Sequence, residues 1–400
     1  MKADRLYYRD AALRSFDAQV VRVEPVGGRF HVHLDRTAFY PNSGGQPSDT
    51  GVLDGVHVAD VFEDDSGDVV HVLEKAPTSG TVHGEIDWVR RFDHIQQHTG
   101  QHLLSAVFVE LFKMPTVSFH LGEDLSTIDL EAAALSEEQM RRAEARANEI
   151  VFENRPVRVT FTTKEAASKL VLRKEVDREG EIRLIEIENL DLSACGGTHV
   201  SATGQIGAIL LRRCEKVKQG IRVEFVCGGR AVTSARRDYQ ALVAAANVFT
   251  AHPHELPQLV AKKIEEAKAA DKERRKLLDM LAGFEAQELH RHAIPDARGL
   301  RSVEKIFDTA DVGFLRFMAT RVTQYPGVRV VLVLRKPPTL LAAQSKGLPE
   351  AQGGVDMGAI FKRLSDLGLR GGGSRDSAQA GAPDDISLDR ALERLREELV

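Results

Sequence analysis

The stretch His94-Ile-Gln-Gln-His98-Thr-Gly-Gln-His102-Leu-Leu carries three histidines spaced four residues apart. On an α-helix, four residues advance about 40° beyond a full turn and rise about 6 Å, so two neighbouring imidazoles can share a metal ion. His94 and His102 would lie about 12 Å apart along the helix axis, too far for one ion to bind all three. Spacing alone leaves open the pairs His94/His98 and His98/His102, and also an exposed helix face that happens to carry histidines. The stretch is not a metalloprotease motif, because Thr99 replaces the glutamate of HExxH.

A second stretch, Cys195-Gly-Gly-Thr-His199, offers a thiol and an imidazole four residues apart. Gly196 and Gly197 would let the backbone fold tightly around an ion, because glycine reaches positive φ freely. The alternative is a glycine turn with a buried cysteine and a chance histidine. Together the two stretches offer the four nitrogen and sulfur ligands of a tetrahedral zinc ion, so the sequence predicts a Zn²⁺ site.

The composition bounds the class of protein. With 400 residues, 42% hydrophobic and 28% charged, the chain is predicted to form two to four globular domains. The net charge of -5 neither indicates nor excludes nucleic-acid binding. Three cysteines argue against a disulfide framework and for a reducing compartment. The charged N-terminus is no signal peptide, and no apolar run reaches the roughly 18 residues of a transmembrane helix. We therefore expect the cytoplasm and no membrane association.

Residues 1–90 show the short alternating segments of a small β-barrel or sandwich. The predicted strands, with a turn at Gly27-Gly28, are Ala18–Pro25, Phe30–Asp35, Val56–Phe62 and Val69–Leu73. Residues 36–51 are predicted to be a loop, because their prolines and glycines forbid regular structure. That loop is either an ordinary solvated turn or the wall of a polar pocket lined by backbone amides and Gln46.

Residues 91–232 are predicted to pack helices on an antiparallel sheet, an α+β arrangement. One helix begins near Trp88, and a second runs from Ser136 to about Asn154, with Ser136 and Gln139 as a capping box. The predicted strands are Val157–Thr162, Ile182–Ile187, Ile206–Arg212 and Ile221–Cys227. The stretch from Cys195 to His199 then falls in the loop between the second and third of these strands.

The remainder is predicted to form a helical linker or coiled-coil arm at 233–295 and a C-terminal α/β domain at 296–400. Val328–Leu334 is a nearly continuous apolar strand, typical of a sheet covered on both faces, and Asp356–Leu367 is predicted to be helical. Residues 371–381 are predicted to be a glycine-rich loop. With Arg375 it could hold a phosphate or RNA backbone, or it could be a flexible connection.

Three motifs occur in the order known from the alanyl-tRNA editing domain, which is found within alanyl-tRNA synthetases and in freestanding AlaX-type proteins. The stretch beginning Thr37-Ala-Phe-Tyr-Pro resembles its TxFYPxxGGQP, and His98-Thr-Gly-Gln-His102-Leu-Leu resembles its HxxxHLL. Cys195-Gly-Gly-Thr-His199-Val resembles its CGGTHV. Residues 328–381 are similar to the synthetase's C-terminal domain, as in the long AlaX form. No segment resembles the aminoacylation domain, so the family likeness implies hydrolysis of charged tRNA without its synthesis.

The resemblance also implies roles for particular residues. It makes residues 91–232 a zinc-dependent editing domain and excludes His94 as a ligand. Asn42-Ser43 departs from the residues common in relatives, which concerns the pocket wall rather than the fold. The implied metal ligands are His98, His102, Cys195 and His199; the implied catalytic residues are Thr37 and Gln46; the implied substrate-binding residues are Thr37, Gly44, Gly45 and Gln46; and the implied tRNA-binding residues are Arg375 and Gln379.

The implied substrate is tRNA(Ala) mischarged with serine, with glycyl-tRNA(Ala) as a further candidate. Serine exceeds alanine by one hydroxyl, and Thr37 is expected to require that hydroxyl. The sequence shows no acidic residue near the motifs that stands out as a general base. Two alternatives are a zinc-stabilised tRNA-binding protein without turnover and a hydrolase of another aminoacyl-tRNA ester. The C-terminal region could drive homodimer formation, tRNA binding or both.

Overall fold

The computed structural model describes residues 2–174, 180–218 and 220–400. The chain divides into two compact units, Met1–Ala244 and Ala245–Val400. The finer domain boundaries expected at residues 90, 232 and 295 stay a prediction. Helices and sheets are mixed throughout the described residues, as the α+β fold class predicts.

The first unit begins with a closed β-barrel. Its strands, with two short flanking ones, are β1 (Asp4–Arg5), β2 (Ser15–Val26), β3 (Arg29–Leu34), β4 (Arg36–Thr37), β5 (Gly51–Leu53), β6 (Val56–Glu63), β7 (Val69–Leu73) and β8 (Thr81–Ile86). The barrel closes in the order β2-β3-β7-β6-β5-β8, while β1 pairs with β4 in parallel. Side chains alternate between the inside and the outside of the barrel along its strands. In β8, for example, Val82 and Ile86 are buried and Thr81, His83 and Glu85 are exposed. The predicted small barrel is confirmed.

The rest of the first unit packs helices on two small sheets. Its elements are α1 (Trp88–Phe112), β9 (Thr116–Leu121), β10 (Ser126–Leu130), α2 (Glu137–Glu153), β11 (Val157–Thr162), α3 (Lys164–Ala167), β12 (Ile182–Ile187), β13 (Asp191–Ala194), β14 (Ile209–Val217), β15 (Gly220–Cys227) and α4 (Gly228–Val248). One sheet has the order β14-β15-β10-β9 and the other β11-β12-β13. Leu104 and Phe108 of α1 lie in one core with Ile128 and Phe225. This packing fixes α1, and with it the histidines, against the sheets.

Some elements of this region were predicted from the sequence and others were not. The capping box is confirmed, since Ser136 Oγ accepts from Gln139 N at 3.2 Å and Ser136 N donates to Gln139 Oε1 at 2.9 Å. The strand expected to begin at Ile206 begins at Ile209, because Thr203–Ile206 forms a 3₁₀ turn first. Strand β13, which leads directly to Cys195, was not expected.

The second unit is a mixed five-stranded sheet with helices on both faces. Its elements are α5 (Leu256–His292), β16 (Arg301–Thr309), α6 (Val312–Val322), β17 (Val328–Lys336), β18 (Thr339–Gln344), α7 (Met357–Arg363), β19 (Arg370–Gly373), β20 (Ser377–Gly381) and α8 (Asp385–Glu398). The order is β16-β17-β18-β20-β19, with only β16 and β17 parallel. Val330 and Leu332 face Leu315 and Met318 of α6, whereas Val331 and Val333 face α7 and α8. The predicted doubly covered strand is confirmed.

Two expectations for the C-terminal half are corrected. The helix predicted throughout 233–293 is interrupted after Val248, where Thr250 adopts φ 52° and Pro253–Glu255 forms a 3₁₀ turn. The expected glycine-rich loop is instead the hairpin of β19 and β20, with Arg375 in its turn. A Cβ on Gly371 would stand 2.1 Å from Gln379 O, so the glycines allow close strand pairing rather than a loose loop. No helix among the described residues is long and apolar enough to span a membrane.

Candidate metal centre

Helix α1 and the loop after β13 bring four potential ligands together. His98 and His102 lie one turn apart on α1, Cys195 directly follows β13, and His199 lies four residues later. The candidate ligand atoms of these four residues all lie within 4.8 Å of one another. Cys195 Sγ is 3.4 Å from His98 Nε2 and 3.3 Å from His199 Nε2. This cluster therefore joins all four of the expected ligands.

His94, the third histidine of the ladder, lies outside this cluster. It is buried, and burial lowers the pKa of His94 to about 4. Its Nδ1 has no hydrogen-bond partner among the described residues. Of the two pairs that spacing left open, His94/His98 and His98/His102, only the second lies wholly within the cluster.

Gln46 orients the ring of His98. The backbone N–H of Thr198 can only donate, and it lies 3.1 Å from Gln46 Oε1, which identifies that atom as the carbonyl oxygen. Gln46 Nε2 in turn donates to Thr198 Oγ1 at 2.8 Å. Because His98 Nδ1 is 2.8 Å from the same Oε1, Nδ1 carries the proton. The lone pair of His98 therefore sits on Nε2, the atom that faces Cys195.

A similar argument fixes the tautomer of His199. Thr99 Oγ1 donates to Ile95 O at 2.9 Å and accepts from Val200 N at 3.1 Å. Its proton is therefore committed, and His199 Nδ1, 3.2 Å away, must donate to it. This leaves the Nε2 lone pair of His199 directed at the cluster.

Asp191 holds the third imidazole. Its Oδ2 lies 3.3 Å from His102 Nδ1 and also accepts from Ser193 Oγ at 2.9 Å, and its Oδ1 accepts from Arg173 Nε at 2.8 Å. Burial would raise the pKa of the Asp191 carboxyl, but His102 and Arg173 outweigh it, so that pKa is lowered. A carboxylate behind a ligand histidine fixes the ring and makes it more basic, an arrangement common at metal sites.

The electrostatics of the cluster favour metal binding. Burial alone would raise the pKa of the Cys195 thiol, but His98 and His199 outweigh burial and hold that pKa well below its usual range. Burial lowers the pKa of His199 to about 3, so its imidazole is neutral. Burial would lower the pKa of His102, but Asp191 and Cys195 outweigh it, so that pKa is raised and His102 must give up its proton when a metal ion binds. The thiolate of Cys195 and the neutral imidazole of His199 are already in the protonation state that a metal ion requires. The residues present thus fit a bound metal ion.

Gly197 allows the Cys195 loop to reach α1, but not for the expected reason. Neither Gly196 nor Gly197 has a positive φ. A Cβ on Gly197 would instead lie 2.1 Å from His98 Cε1, whereas one on Gly196 would lie 3.4 Å from the nearest atom, Tyr8 Oη. The second glycine is therefore needed because the loop touches a ligand ring.

A cavity of about 460 Å³ adjoins the cluster. Its wall contains Cys195 and His102 together with polar, apolar and basic side chains. The other described lining residues are Gly44, Gly45, Gln101, Thr116, Val117, Ser118, Phe119, Arg173, Lys174, Ser193, Ala194 and Gly196. A substrate held in this cavity would lie beside any metal ion that the cluster binds.

The structure separates the predicted pocket residues into two groups. Gly44 and Gly45 line the cavity, whereas Gln46 and Thr37 are fully buried and are not among the described residues that line it. The Thr37 hydroxyl is 2.8 Å from His71 Nε2 and accepts from Phe39 N at 3.0 Å. His71 Nδ1 faces Val32 O at 3.0 Å and so carries the proton, which means Thr37 donates to Nε2. The roles of Thr37 and Gln46 towards substrate stay predictions.

Sequence reasoning missed Asp191, Thr99 and Arg173. Thr99 stands inside the HxxxH motif, but nothing in its spacing marks it as the partner of His199. Asp191 lies four residues before Cys195, a separation that identifies no known motif. Only the fold brings these side chains behind the ligand rings.

The predicted tRNA-binding residues lie in the second unit. Gln379 Oε1 accepts from Arg316 Nε at 2.7 Å, and both residues line a cavity of about 870 Å³. Arg375 is not among the described residues that line this cavity, and its guanidinium lies 3.8 Å from Glu350. The structure thus places one of the two at a concave surface and the other in an exposed turn.

Similarity to known proteins extends over nearly the whole chain. Residues 182–223 match the family described as the threonyl and alanyl tRNA synthetase second additional domain. Over 426 aligned residues the chain is 31% identical to the alanyl-tRNA editing protein AlaX-L of Pyrococcus horikoshii, with 99% of both chains covered. It is 32% identical to the alanine–tRNA ligase of Pyrococcus furiosus, covering 98% of this chain but 43% of the ligase. Among solved structures, the C-Ala domain of Aquifex aeolicus alanyl-tRNA synthetase matches 26% of this chain and 94% of that domain, at 23% identity and a TM-score of 0.23.

Proposed function

The chain belongs to the family of alanyl-tRNA editing proteins, and on that premise we propose that it removes serine from mischarged tRNA(Ala). It is an aminoacyl-tRNA hydrolase, and the bond it cleaves is the ester between the amino acid and the terminal ribose. The observation that carries the proposal is the four-residue metal cluster beside a cavity, in a chain that matches a named editing protein over 99% of both lengths.

The need for such an activity follows from the chemistry of the amino acids. A site built for alanine cannot strongly reject serine, which differs by one hydroxyl. An editing site must therefore require that hydroxyl, because a polar group left unpaired by alanine costs roughly 1–3 kcal/mol. Glycyl-tRNA(Ala) is a second proposed substrate, and because glycine lacks the hydroxyl, its rate of hydrolysis relative to seryl-tRNA measures how strictly the site requires that group.

We propose that the metal is Zn²⁺, held by His98, His102, Cys195 and His199. Three imidazoles and one thiolate form a donor set that suits zinc. When bound, zinc can polarise an ester carbonyl or lower the pKa of a bound water. The chain's own contribution is orientation, since Gln46, Thr99 and Asp191 direct the three rings. No carboxylate is among the described residues that line the cavity, so no side-chain acid there is assigned as a base.

Thr37 and Gln46 are proposed to serve the site mainly by positioning. Both belong to the segment that presents Gly44 and Gly45 to the cavity. The Thr37 hydroxyl already donates to His71 and accepts from Phe39 N, so without breaking these bonds it could only accept a hydrogen bond from the serine hydroxyl. Thr37→Ser keeps the hydroxyl and Thr37→Val removes it. If Thr37 contacts the serine hydroxyl, Thr37→Val should lower the rate of seryl-tRNA hydrolysis relative to that of alanyl-tRNA. If Thr37 only positions the segment, the same substitution should lower both rates together.

The second unit is proposed to bind tRNA and to form a homodimer, with the cytoplasm as the place of action. The exposed guanidinium of Arg375 and the Gln379–Arg316 pair offer donors for a nucleic-acid backbone. Gel filtration and tRNA binding should be compared for the full chain and for a chain ending at Val248. If the shortened chain keeps both its oligomeric state and its tRNA affinity, neither role belongs to this unit.

The test of function is deacylation of seryl-, glycyl-, threonyl- and alanyl-tRNA by the full chain. Loss of serine with sparing of alanine is expected, and Cys195→Ala should abolish it. Cys214→Ala is the matched control, because Cys214 is an exposed cysteine away from the cluster. Binding of tRNA without hydrolysis would indicate a binding protein, and preferred hydrolysis of the threonyl ester would indicate a different substrate.

A further inference from the structure

Two basic side chains stand in the described part of the wall of the cavity of about 460 Å³. Of the described residues that line it, Arg173 and Lys174 carry formal charges besides the cluster itself, and none is an aspartate or glutamate. The cavity also has His102 and Cys195 in its wall. A concave surface that carries basic side chains favours an anionic group. The amino group of an aminoacyl ester is cationic, so the anionic part of the substrate that suits these side chains is the tRNA backbone.

Arg173 is held in place, unlike a free surface arginine. Its backbone N–H donates to Leu192 O at 3.0 Å, and its Nε donates to Asp191 Oδ1 at 2.8 Å. Asp191 is 1% exposed at its side chain, against 20% for Arg173. The two terminal nitrogens of Arg173 have no hydrogen-bond partner within the described residues. The guanidinium is thus anchored at Nε, and within the described ranges its Nη atoms remain available to a ligand.

A guanidinium anchored in this way suits a phosphate oxygen. Its planar fork matches phosphate geometry, and fixing one edge in advance reduces the entropy lost on binding. In an aminoacyl-tRNA the ester lies on the terminal ribose, and the nearest anion is the phosphodiester on the other side of that same ribose. Arg173 and the cluster line one cavity, so both can face a single terminal nucleotide.

We propose that Arg173 binds the phosphate that precedes the terminal adenosine of the tRNA, with Asp191 as its buried anchor. This inference rests on the proposed editing function and adds the residue that sets the position of the terminal nucleotide. Because Asp191 also holds His102, the phosphate-binding residue and a metal ligand share one support. The ester is thereby positioned relative to the metal centre through two contacts on one carboxylate.

The test compares two forms of seryl-tRNA(Ala), one with the natural phosphodiester before the terminal adenosine and one with a neutral methylphosphonate there. For the wild type, kcat/KM should fall by about 10- to 100-fold on the neutral linkage, the range for a hydrogen bond to a charged group. Arg173→Gln should be equally slow on both substrates. Lys169→Gln is the control, because it removes one positive charge from an exposed residue that does not line the cavity.

The decisive quantity is the ratio of kcat/KM on the two substrates, measured with one protein, because loss of stability or metal lowers both values alike. If Arg173→Gln keeps the wild-type ratio, the proposal is wrong and Arg173 only supports Asp191. If the wild type hydrolyses neither substrate, the editing function itself fails. Equilibrium binding of the two uncharged tRNAs to the same proteins then decides the role of Arg173. If Arg173→Gln binds the two tRNAs equally while the wild type prefers the phosphodiester, the proposal is supported. If Arg173→Gln keeps the wild-type preference, the proposal is wrong.

Discussion

Gly197→Ala should disable metal binding, while Gly196→Ala, the same change one residue earlier, should not. The added methyl at 197 would stand 2.1 Å from His98 Cε1 and 2.4 Å from its Nδ1. At 196 the nearest atom would be Tyr8 Oη at 3.4 Å, an ordinary contact. The two variants differ only in whether the methyl strikes a ligand ring.

The required displacement can be worked out from these distances. Restoring a contact of about 3.4 Å from 2.1 Å demands a shift of about 1.3 Å in the ring or the loop. Metal–ligand distances tolerate only about 0.2 Å. The shift is several times that tolerance, so His98 leaves the coordination sphere or Cys195 is pulled from it. We expect apparent metal affinity to fall by at least about 100-fold, together with about 1–3 kcal/mol of overpacking cost in the free energy of unfolding.

The assay is competition for Zn²⁺ with a chromophoric chelator at fixed pH, with unfolding in urea measured on the metal-free proteins. Gly196→Ala should keep an affinity within about threefold of the wild type, since ordinary contacts cost little. The reasoning is refuted if Gly197→Ala binds Zn²⁺ as tightly as Gly196→Ala does. A large loss in both variants would show that the loop requires glycine conformations, which the φ values do not indicate.

Three further predictions concern residues behind the site. Gln46→Ala should weaken Zn²⁺ binding by about 10- to 100-fold in the same competition assay, because His98 loses its acceptor, whereas Gln19→Ala at an exposed position should not. Asp49→Ala should lower the free energy of unfolding by about 3–5 kcal/mol in urea, because it leaves the fully buried Arg91 without its carboxylate. Burial lowers the pKa of His71 to about 4 from 6.5, so the unfolded chain takes up a proton that the folded one does not. Stability should therefore fall as the pH drops from 6.5 to 4, by up to about 3 kcal/mol from this group, and His71→Gln should flatten that slope.

The elements that local patterns specify could be predicted from the sequence. The strand expected at Val69–Leu73 has those bounds, and the one expected at Val56–Phe62 extends by one residue. Val69–Leu73 is apolar except for His71, Val56–Phe62 begins with alternating residues, and a polar turn separates the two strands. By contrast, β9 and β10 were missed, because only Leu121 is fully buried in β9 and three of the five residues of β10 are polar. Their extended conformation depends on pairing with each other and with β15.

The four candidate ligands could be named from the sequence because motifs place them at helical or loop spacing, whereas the residues that orient their rings could not. Asp191 is 89 residues from His102, and Thr99 is 100 residues from His199. Such pairs form only after the sheets and α1 have packed. The wrong prediction of a loop at Gly371 and Gly373 has the same cause. A glycine run indicates flexibility by itself, and the sequence does not show that Ala378 and Ala380 lie opposite in a paired strand.

Hydrogen bonds connect the three motifs, so the geometry of the candidate metal site depends on how the segments that carry them pack. Gln46 from the barrel segment orients His98 on α1, while Thr198 of the Cys195 loop fixes the Gln46 amide. Thr99 on α1 in turn orients His199 of that loop. Each segment therefore supplies a support that another segment's ligand needs, and no single motif can form the site in isolation. Buried hydrogen-bond networks of this kind are worth more than the sum of their pairs, and a partly satisfied one is costly. Displacing any one of the three segments is thus expected to impair the whole centre, not one ligand alone.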